Sequence, residues 1–278
     1  MADELAIDVV VRCRNEMPHA RPALEGLLRQ KHLRPRILVI DCHSDDGSRE
    51  VAEELGLEIF DLDPALYIPG RVLNMGMKRT TSDVVAFVNA DAIPQSDDAL
   101  MRLVDPLLAH DDVGAVYGRQ LPRASADAQT KQDYARAFPA GDALKISKGS
   151  FFSMASSVIS RRAWQQLPFD EELRYSEDVD WTHRISAVGW KVHYAADARF
   201  EHSHDYSVRA HFKRRRGEGV ADTAIFRLGR PSAVREFARP LVGALVRDVR
   251  TGHLNAVGLA ARCAQAAGYY LGRRDSTL

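Results

Sequence analysis

The chain has 278 residues, of which 45% are hydrophobic and 27% charged, and this composition is ordinary for a soluble globular protein and argues against disorder. The 38 basic and 38 acidic side chains balance, although residues 206–278 contain 14 Lys and Arg against 5 Asp and Glu. Three cysteines without a Cys-x-x-Cys spacing argue against a disulfide framework or a zinc ribbon. Because no apolar run reaches the ~20 residues of a membrane span and the first residues lack a signal-peptide pattern, we expect a cytoplasmic protein.

Strands and helices are predicted to alternate from the first residues onwards. Apolar runs predict strands at residues 7–12, 36–41, 57–60, 84–88 and 113–117. Apolar residues at helical spacing predict helices between them, near residues 24–28, 48–55, 72–78 and 99–109. This alternation indicates an α/β fold with a mostly parallel sheet flanked by helices.

The later sequence is less regular. Residues 122–148 are polar and weakly periodic, which predicts a long surface excursion. Residues 151–160 are typical of a returning strand, residues 176–188 follow helical spacing, and a further strand is predicted at 192–194. We therefore expect one α/β domain over residues 1–205 and a basic helical region over residues 206–278.

The stretch VVAFVNADA, residues 84–92, places a carboxylate at a chemically useful position. Its apolar run predicts a strand buried on both faces, which ends at Asn89-Ala90-Asp91. Ligands of open α/β sheets bind at the carboxyl ends of the strands, so Asp91 is a candidate to hold a metal ion or a phosphate-bearing ligand. A simple turn ahead of Pro94 explains Asp91 equally well, and this stretch alone leaves both interpretations open. The absence of Gly-x-Gly-x-x-Gly and of a Walker A loop excludes the usual dinucleotide and P-loop sites.

Five short motifs in order resemble the inverting nucleotide-sugar glycosyltransferases of family 2, which have the type A (GT-A) fold. The motifs are VVVRCRNE, VIDCHSDDGS, GRVLNMG, VVAFVNADA and SEDVDW, and the resemblance covers residues 7 to about 205. YGRQLP and HSHDYS further resemble bacterial rhamnosyltransferase-like enzymes of surface-polysaccharide synthesis. The resemblance implies an enzyme that transfers a sugar from a UDP-, dTDP- or GDP-linked donor to a saccharide or lipid-linked hydroxyl acceptor, with inversion.

The resemblance also implies a metal site. A nucleoside diphosphate leaves with growing negative charge, which a divalent metal stabilises. Asp91 would hold Mn²⁺ or Mg²⁺, and His202 or His204 would complete the site, although two histidines near a basic helix are also common at surfaces. The family motif often reads Asp-x-Asp, and the neutral amide of Asn89 at its first position is a weaker ligand than a carboxylate.

Catalysis is assigned by resemblance to the Glu-Asp pair of SEDVDW. Asp178 would take the proton of the acceptor hydroxyl, and Glu177 would orient the acceptor or the sugar. Burial and a neighbouring carboxylate both favour a better base near neutral pH. The alternative is structural, since carboxylates in the first turn of a helix are stabilised by the helix dipole.

Nucleotide-sugar contacts are assigned to polar residues of the same motifs. Asp41 and Asp46 lie at the end of the second strand, where enzymes of the family recognise the nucleobase and position the ribose. Asp46-Gly47 also fits a plain turn, with Ser48 as the cap of the next helix. Arg71, just ahead of a predicted helix, would face the base or the diphosphate. The full set of candidates is Arg12, Asn15, Glu16, Asp41, Ser44, Asp46, Arg71, Asn74, Asn89 and Arg184.

Two other functions stay open from the sequence. A nucleotidyltransferase would need a basic phosphate-binding loop after the first strand, which RCRNEMPH does not provide. A non-catalytic nucleotide-sugar-binding protein is favoured by Asn89 and disfavoured by SEDVDW. No nucleic-acid partner is expected, because the basic tail has no interleaved aromatic residues and no recognisable motif.

The basic tail contains an amphipathic pattern. Its apolar residues at helical spacing are Val234, Phe237, Leu241, Leu245 and Val249. Arginines flank this stripe, and Pro240 is expected to kink the helix. The stripe fits either peripheral attachment to the inner face of an anionic membrane or the interface of a homo-oligomer. The small residues of 256–272 are expected to pack closely on another helix.

Overall fold

The computed structural model describes residues 5–141, 145–146 and 151–277. The chain divides into two units by the density of its internal contacts. The first unit contains residues 1–123, 134–172 and 177–203, and the second contains residues 124–133, 173–176 and 204–278.

The first unit is built on one mixed sheet. Its strands are β1 (Leu5–Cys13), β2 (Leu33–Asp41), β3 (Glu58–Asp61), β4 (Val84–Asn89), β5 (Ile93–Pro94), β6 (Val113–Leu121), β7 (Lys145–Ile146), β8 (Ser156–Ser160) and β9 (Lys191–Glu201). The spatial order is β3-β2-β1-β4-β8-β6-β9-β5, and β7 pairs with β9. β8 runs antiparallel to β4 and β6, whereas β1, β2, β3, β4, β6 and β9 share one direction. The predicted mostly parallel sheet is therefore confirmed.

Helices connect these strands. They are α1 (Ala20–Leu28), α2 (Ser48–Glu54), α3 (Pro69–Arg79), α4 (Ala99–Leu108), α5 (Ala128–Ala137), α6 (Arg161–Gln166) and α7 (Glu177–Ala187), with a 3₁₀ turn at Pro64–Leu66. Helix α5 lies inside the stretch predicted as a surface loop. It has no buried residue, so it lacks the apolar stripe by which a helix is predicted from sequence.

Two apolar cores lie on the two faces of the sheet. Alternate side chains of a strand point to opposite faces, and accordingly Val9 and Val11 of β1 belong to one core and Val10 to the other. On β4, Val84 and Val88 pack in the first core while Phe87 packs in the second. This double burial explains the uninterrupted apolar run of the central strand and fixes its register, since a shift by one residue would exchange the faces.

The second unit is helical. It contains α8 (Val208–Ile225), a π-helical turn at Val234–Ala238, α9 (Arg239–Arg250) and α10 (Ala256–Asp275). Glycines allow α8 and α10 to approach closely: a Cβ on Gly219 would lie 2.4 Å from the Tyr269 carbonyl oxygen, and one on Gly272 would lie 2.1 Å from that of Arg216. The predicted close packing of residues 256–272 on another helix is confirmed.

Pro240 lies where the helical geometry changes. It is in the first turn of α9, directly after the π-helical turn, and the backbone stays helical from Ala238 into Arg239. Prolines and π-helical turns are both sites at which helices bend, so the kink at Pro240 stays a prediction. Among the residues that the structure describes, no helix is both long and apolar enough to cross a membrane.

Candidate active site

The carboxyl ends of β1, β2 and β4 lie side by side at one edge of the sheet. Arg12 of β1 is the register partner of Asn89 of β4, and Cys13 is the partner of Asp41 of β2. The polar residues that follow these strands consequently meet although they are far apart in sequence. They form three groups, of which one supports the loops after β1 and β2.

The first group, the Asp–His cluster, consists of Asp91, Gln120, Arg123 and His202. Asp91 follows β4, His202 follows β9, and the Asp91 Oδ1 and His202 Nε2 atoms are 3.4 Å apart. His202 Nδ1 lies 2.9 Å from Gln120 Oε1. Since an amide oxygen only accepts, Nδ1 carries a proton. In the neutral ring Nε2 then presents its lone pair on the side of Asp91, whereas in the charged ring it would donate to that carboxylate.

This donor set fits a divalent cation. Two ligand atoms that are each ~2.1 Å from one ion lie roughly 3.0–3.4 Å from each other, which matches the separation of Asp91 Oδ1 and His202 Nε2. The hydrogen bond from Nδ1 to Gln120 is the kind of second contact that orients histidine ligands of metals. Asp91 and His202 could therefore hold a metal ion without rearrangement of either side chain.

Arg123 completes the Asp–His cluster and was not predicted from the sequence. Its Nη2 donates to Asp91 Oδ2 at 2.9 Å and to the Asp91 carbonyl oxygen at 3.0 Å, and its Nη1 donates to the Ser203 carbonyl oxygen. These bonds fix the carboxylate so that its other oxygen faces His202. Arg123 lies in a polar stretch after β6, where no local pattern distinguishes it from a solvated arginine.

Glu16 and His19 face the same cluster. Burial, supported by the nearby charge of Asp91 and opposed by Arg123, raises the pKa of Glu16 to about 7. Burial and the charge of Arg123 lower the pKa of His19. Glu16, a predicted nucleotide-sugar ligand, therefore lies beside Asp91, and its raised pKa is due mainly to burial and secondly to the charge of Asp91.

The second group, the Arg–carboxylate cluster, consists of Arg12, Tyr67, Asn89, Glu177 and Asp178. Arg12 Nη2 donates to Asn89 Oδ1 at 2.8 Å, and Arg12 Nη1 lies 3.6 Å from Glu177 Oε1. Tyr67, which was not predicted, lies next to Arg12. Burial, followed by the charge of Glu177, raises the pKa of Asp178 to about 7, and Arg12 opposes this shift. The predicted catalytic pair thus begins α7 next to the sheet edge, facing the half-buried guanidinium of Arg12.

The third group supports the loops after β1 and β2, and its residues are Asn15, Asp41, Ser44, Asp45, Asp46 and Ser48. Asp41 is fully buried, and its two oxygens accept hydrogen bonds from the Ser44 N–H at 3.0 Å and the Ser44 hydroxyl at 2.6 Å. The side chains of Asn15 and Asp45 join the two loops, since Asn15 Nδ2 donates to Asp45 Oδ1 at 2.8 Å and the Asp45 N–H donates to Asn15 Oδ1 at 2.9 Å. Asp41 therefore shapes this loop from inside the protein.

Asp46 and Ser48 also brace these loops. The Asp46 carboxylate accepts from the N–H groups of Met17 and Ser48, at 2.8 and 2.9 Å. The expectation that Ser48 caps α2 is wrong: the N-cap residue is Gly47, at φ 100°, and the Ser48 hydroxyl accepts from the Glu16 N–H at 2.8 Å. Glycine occupies the cap because the chain needs a left-handed conformation there.

Other predicted site residues lie outside these groups. Asn74 of α3 is buried, donates to the Phe169 carbonyl oxygen and accepts from Trp164 Nε1, so its amide supports the protein and does not face a ligand. Arg71 lies within α3, which begins at Pro69, and not ahead of the helix. Arg184 pairs with Asp180 at 2.7 Å, on the far side of α7 from Asp178 by helical spacing. His204, two residues after His202, is counted with the second unit, and its assignment as a metal ligand stays a prediction.

Comparison with known proteins identifies the fold. The mannosyltransferase PcManGT from Pyrobaculum calidifontis, solved in complex with GDP-Man and Mn²⁺, matches with a TM-score of 0.68 over 98% of this chain and 86% of that chain, at 17% identity. At this level of identity the likeness concerns the fold. It confirms the GT-A type architecture expected from the motifs.

Curated relatives and a family model agree with this architecture. O-antigen chain rhamnosyltransferase RfbN of Salmonella typhimurium is 31% identical over 234 residues, which cover 78% of this chain and 71% of RfbN. O-antigen chain rhamnosyltransferase WbaN of Salmonella anatum is 29% identical over 214 residues, which cover 73% of this chain and 65% of WbaN. The model of glycosyl transferase family 2 matches residues 8–167, from within β1 to just after α6. With more than half of its length matched and its polar clusters at the carboxyl edge of the sheet, this chain belongs to glycosyl transferase family 2.

Proposed function

We propose that the first unit transfers a sugar from a nucleoside-diphosphate donor to a hydroxyl acceptor with inversion at the anomeric carbon. The observation that supports this best is the half-buried carboxyl of Asp178, whose pKa is raised to about 7 by partial loss of hydration and by Glu177. A base with that proton affinity can accept the hydroxyl proton near neutral pH. The acceptor oxygen then bonds to the anomeric carbon, the bond to the diphosphate breaks, and the proton resides on Asp178.

Rhamnose is the sugar we propose, and a growing polysaccharide is the acceptor. Both curated relatives are named as O-antigen chain rhamnosyltransferases, which supports this choice. The test is to mix the enzyme with UDP-, dTDP- and GDP-linked sugars and a saccharide acceptor, and to determine the anomeric configuration of the product by NMR. Inverted product from one donor is expected; a retained configuration, or no transfer and no thermal stabilisation by any nucleoside diphosphate, would contradict the proposal.

We propose Asp91 and His202 as ligands of a divalent metal, with His204 as a further candidate close in sequence. When bound, the ion would neutralise charge on the departing diphosphate. An imidazole ligand favours Mn²⁺ over Mg²⁺, which prefers oxygen ligands. The presence of Mn²⁺ with GDP-Man in PcManGT supports the same choice. Asn89 is not included among the ligands because its carbonyl oxygen accepts from Arg12.

The role of Gln120 provides a test of this site. Gln120→Leu is expected to weaken Mn²⁺ binding by about 10–100-fold, because His202 Nδ1 loses the acceptor that fixes its tautomer and orientation. Free Mn²⁺ can be titrated by EPR against the nucleotide-free protein, so the result does not depend on activity. Gln120→Glu retains an acceptor and should bind Mn²⁺ more tightly than Gln120→Leu. Equal Mn²⁺ affinity in all three proteins would remove His202 from the proposed site.

The second unit suggests where the enzyme works. Helix α9 exposes Val242, Val246 and Val249 by 57%, 42% and 60%, and their spacing places them on one face. Arg239 and Arg250 are exposed along the same face. The stripe predicted from the sequence differs, because Phe237, Leu241 and Leu245 are half-buried within the unit.

We propose that this exposed face of α9 attaches the enzyme to an anionic membrane surface. Each basic residue near such a surface contributes about 1 kcal/mol, and the attraction weakens with salt. The protein should sediment with phosphatidylglycerol liposomes at low salt and less at high salt, and Val246→Asp should abolish sedimentation. Val220→Asp, which changes an exposed valine of α8, is the matched control. Protein that stays in the supernatant and forms a dimer at all concentrations would instead identify the face as an oligomer interface.

A further inference from the structure

We infer that Arg12 is a positioning residue of the transfer reaction, and that Asn89 holds its guanidinium against the carboxylates of Glu177 and Asp178. This inference deepens the proposed function and rests on it. The sequence had assigned Arg12 and Asn89 to nucleotide-sugar binding. The structure favours a different role, because Arg12 is directed at Glu177 at the start of α7 and Asn89 accepts a hydrogen bond from Arg12.

The strand register explains the contact between the two residues. Arg12 and Asn89 are paired positions on the parallel strands β1 and β4, so their side chains leave the sheet on the same face. Arg12 Nη2 donates to Asn89 Oδ1 at 2.8 Å. The amide carbonyl oxygen of Asn89 is therefore engaged by an arginine, and a cation would have to displace Arg12 to use it as a ligand.

The other side of the guanidinium faces the catalytic pair. Arg12 Nη1 lies 3.6 Å from Glu177 Oε1, and the two side chains are only 15% and 12% exposed. Charges this poorly hydrated interact more strongly than surface charges, because solvent screens them less. The charged and titratable groups that act on Asp178 are Glu177 beside it on α7 and Arg12 on β1, and Tyr67 lies next to Arg12.

Two effects follow from this arrangement. First, Arg12 fixes the direction of the Glu177 side chain. Second, burial and Glu177 raise the pKa of Asp178, and the positive charge of Arg12 opposes this rise. A residue of this kind acts through Asp178 and Glu177. Its loss should change the pH dependence of the reaction, whereas the loss of a direct donor contact would chiefly weaken donor binding.

The variants Arg12→Gln and Arg12→Lys separate these roles. In Arg12→Gln, the acid limb of the kcat/KM profile is expected to move up by about 1 pH unit, because Asp178 loses a nearby cation. Donor affinity, measured by calorimetry, should stay within about threefold. In Arg12→Lys, the acid limb of the kcat/KM profile should lie close to its wild-type position. A donor affinity reduced by about tenfold or more with an unmoved limb would show that Arg12 is a donor ligand, and the inference would be wrong.

Asn89→Asp tests the other half of the inference. If residue 89 holds Arg12, this variant should leave Mn²⁺ affinity within about twofold of wild type, and kcat should fall because the new carboxylate draws Arg12 away from Glu177. A gain of about tenfold or more in Mn²⁺ affinity would identify residue 89 as a metal ligand and overturn this part. Asn89→Leu removes the acceptor without adding charge and is therefore the control for the added carboxylate. It should also lower kcat without a change in Mn²⁺ affinity.

The inference can fail separately from the proposed function. The carboxyl pKa of Asp178 can be measured by ¹³C NMR in wild type and Arg12→Gln without any turnover. A higher carboxyl pKa in Arg12→Gln supports the inference even if no sugar donor is accepted, and an unchanged one refutes it even if transfer is observed. Absence of transfer from every donor tested would count against the proposed function alone.

Discussion

Asp178→Asn is expected to lower kcat by about 10²-fold or more, while the affinity for the nucleotide-sugar donor stays within about threefold. Asparagine has nearly the same shape as aspartate but cannot accept the acceptor proton. The loss should therefore appear in the chemical step and not in ground-state binding. Steady-state kinetics and calorimetric titration of the donor measure the two quantities separately.

The pH dependence of the wild-type enzyme checks the same assignment. Because burial and Glu177 raise the pKa of Asp178 to about 7, kcat/KM should fall about tenfold for each pH unit below that value. Asp222→Asn is a suitable control, since burial also raises the pKa of this carboxyl, which bonds to Tyr269 in the second unit. That variant should retain both kcat and the position of the acid limb.

Thermal stability distinguishes loss of chemistry from loss of folding. The folded-state pKa of Asp178 lies above its ordinary value of 3.8, so ionisation of this carboxyl destabilises the fold as the pH rises through that interval. Asp178→Asn should consequently melt at the same or a higher temperature than wild type at pH 8. A stable variant with near-normal kcat would remove Asp178 from the mechanism.

Asp91→Asn is expected to weaken metal-dependent binding of nucleoside diphosphates by at least about 10²-fold, more than the loss of the supporting Gln120 contact. The substitution removes the carboxylate charge that faces His202 and keeps an acceptor for Arg123. Asp91→Ala is less informative, since it would leave the buried Arg123 without its ion-pair partner and destabilise the protein. Nucleotide affinity should be measured as a function of Mn²⁺ concentration, with EDTA as the metal-free reference.

A matched control for Asp91→Asn is Asp98→Asn. Asp98 precedes α4 and also pairs with an arginine, Arg102, at 2.7 Å, but it lies outside the Asp–His cluster. Its replacement should leave the Mn²⁺ dependence of nucleotide binding unchanged. If added Mn²⁺ raises nucleotide affinity equally in wild type and Asp91→Asn, Asp91 is not a metal ligand.

The sequence was sufficient to predict the architecture of the first unit. The apolar run of residues 84–88 identified a strand buried on both faces, and the structure places these residues in the two cores of the sheet. The order of five motifs predicted the family, which the family model and the relatives confirm. These inferences succeeded because periodicity and motif order depend on residues that are close in sequence.

The partners of the site residues were decided by the tertiary structure. Gln120 and His202 are 82 positions apart, and Arg123 and Asp91 are 32 apart; the order of the strands brings both pairs together. Tyr67 reaches Arg12 in the same way. No local pattern marks such residues, because their significance depends on which strands become neighbours.

Tertiary structure also decided which polar residues of the motifs face inwards. Asp41 and Asn74 stood in motifs as candidate ligands, yet both are buried and bonded to protein groups. Asn89, at the first position of the metal motif, is directed at Arg12. A sequence shows that a residue can form a hydrogen bond, but the fold determines with which group, because a buried polar atom must bond to whatever the packing places beside it.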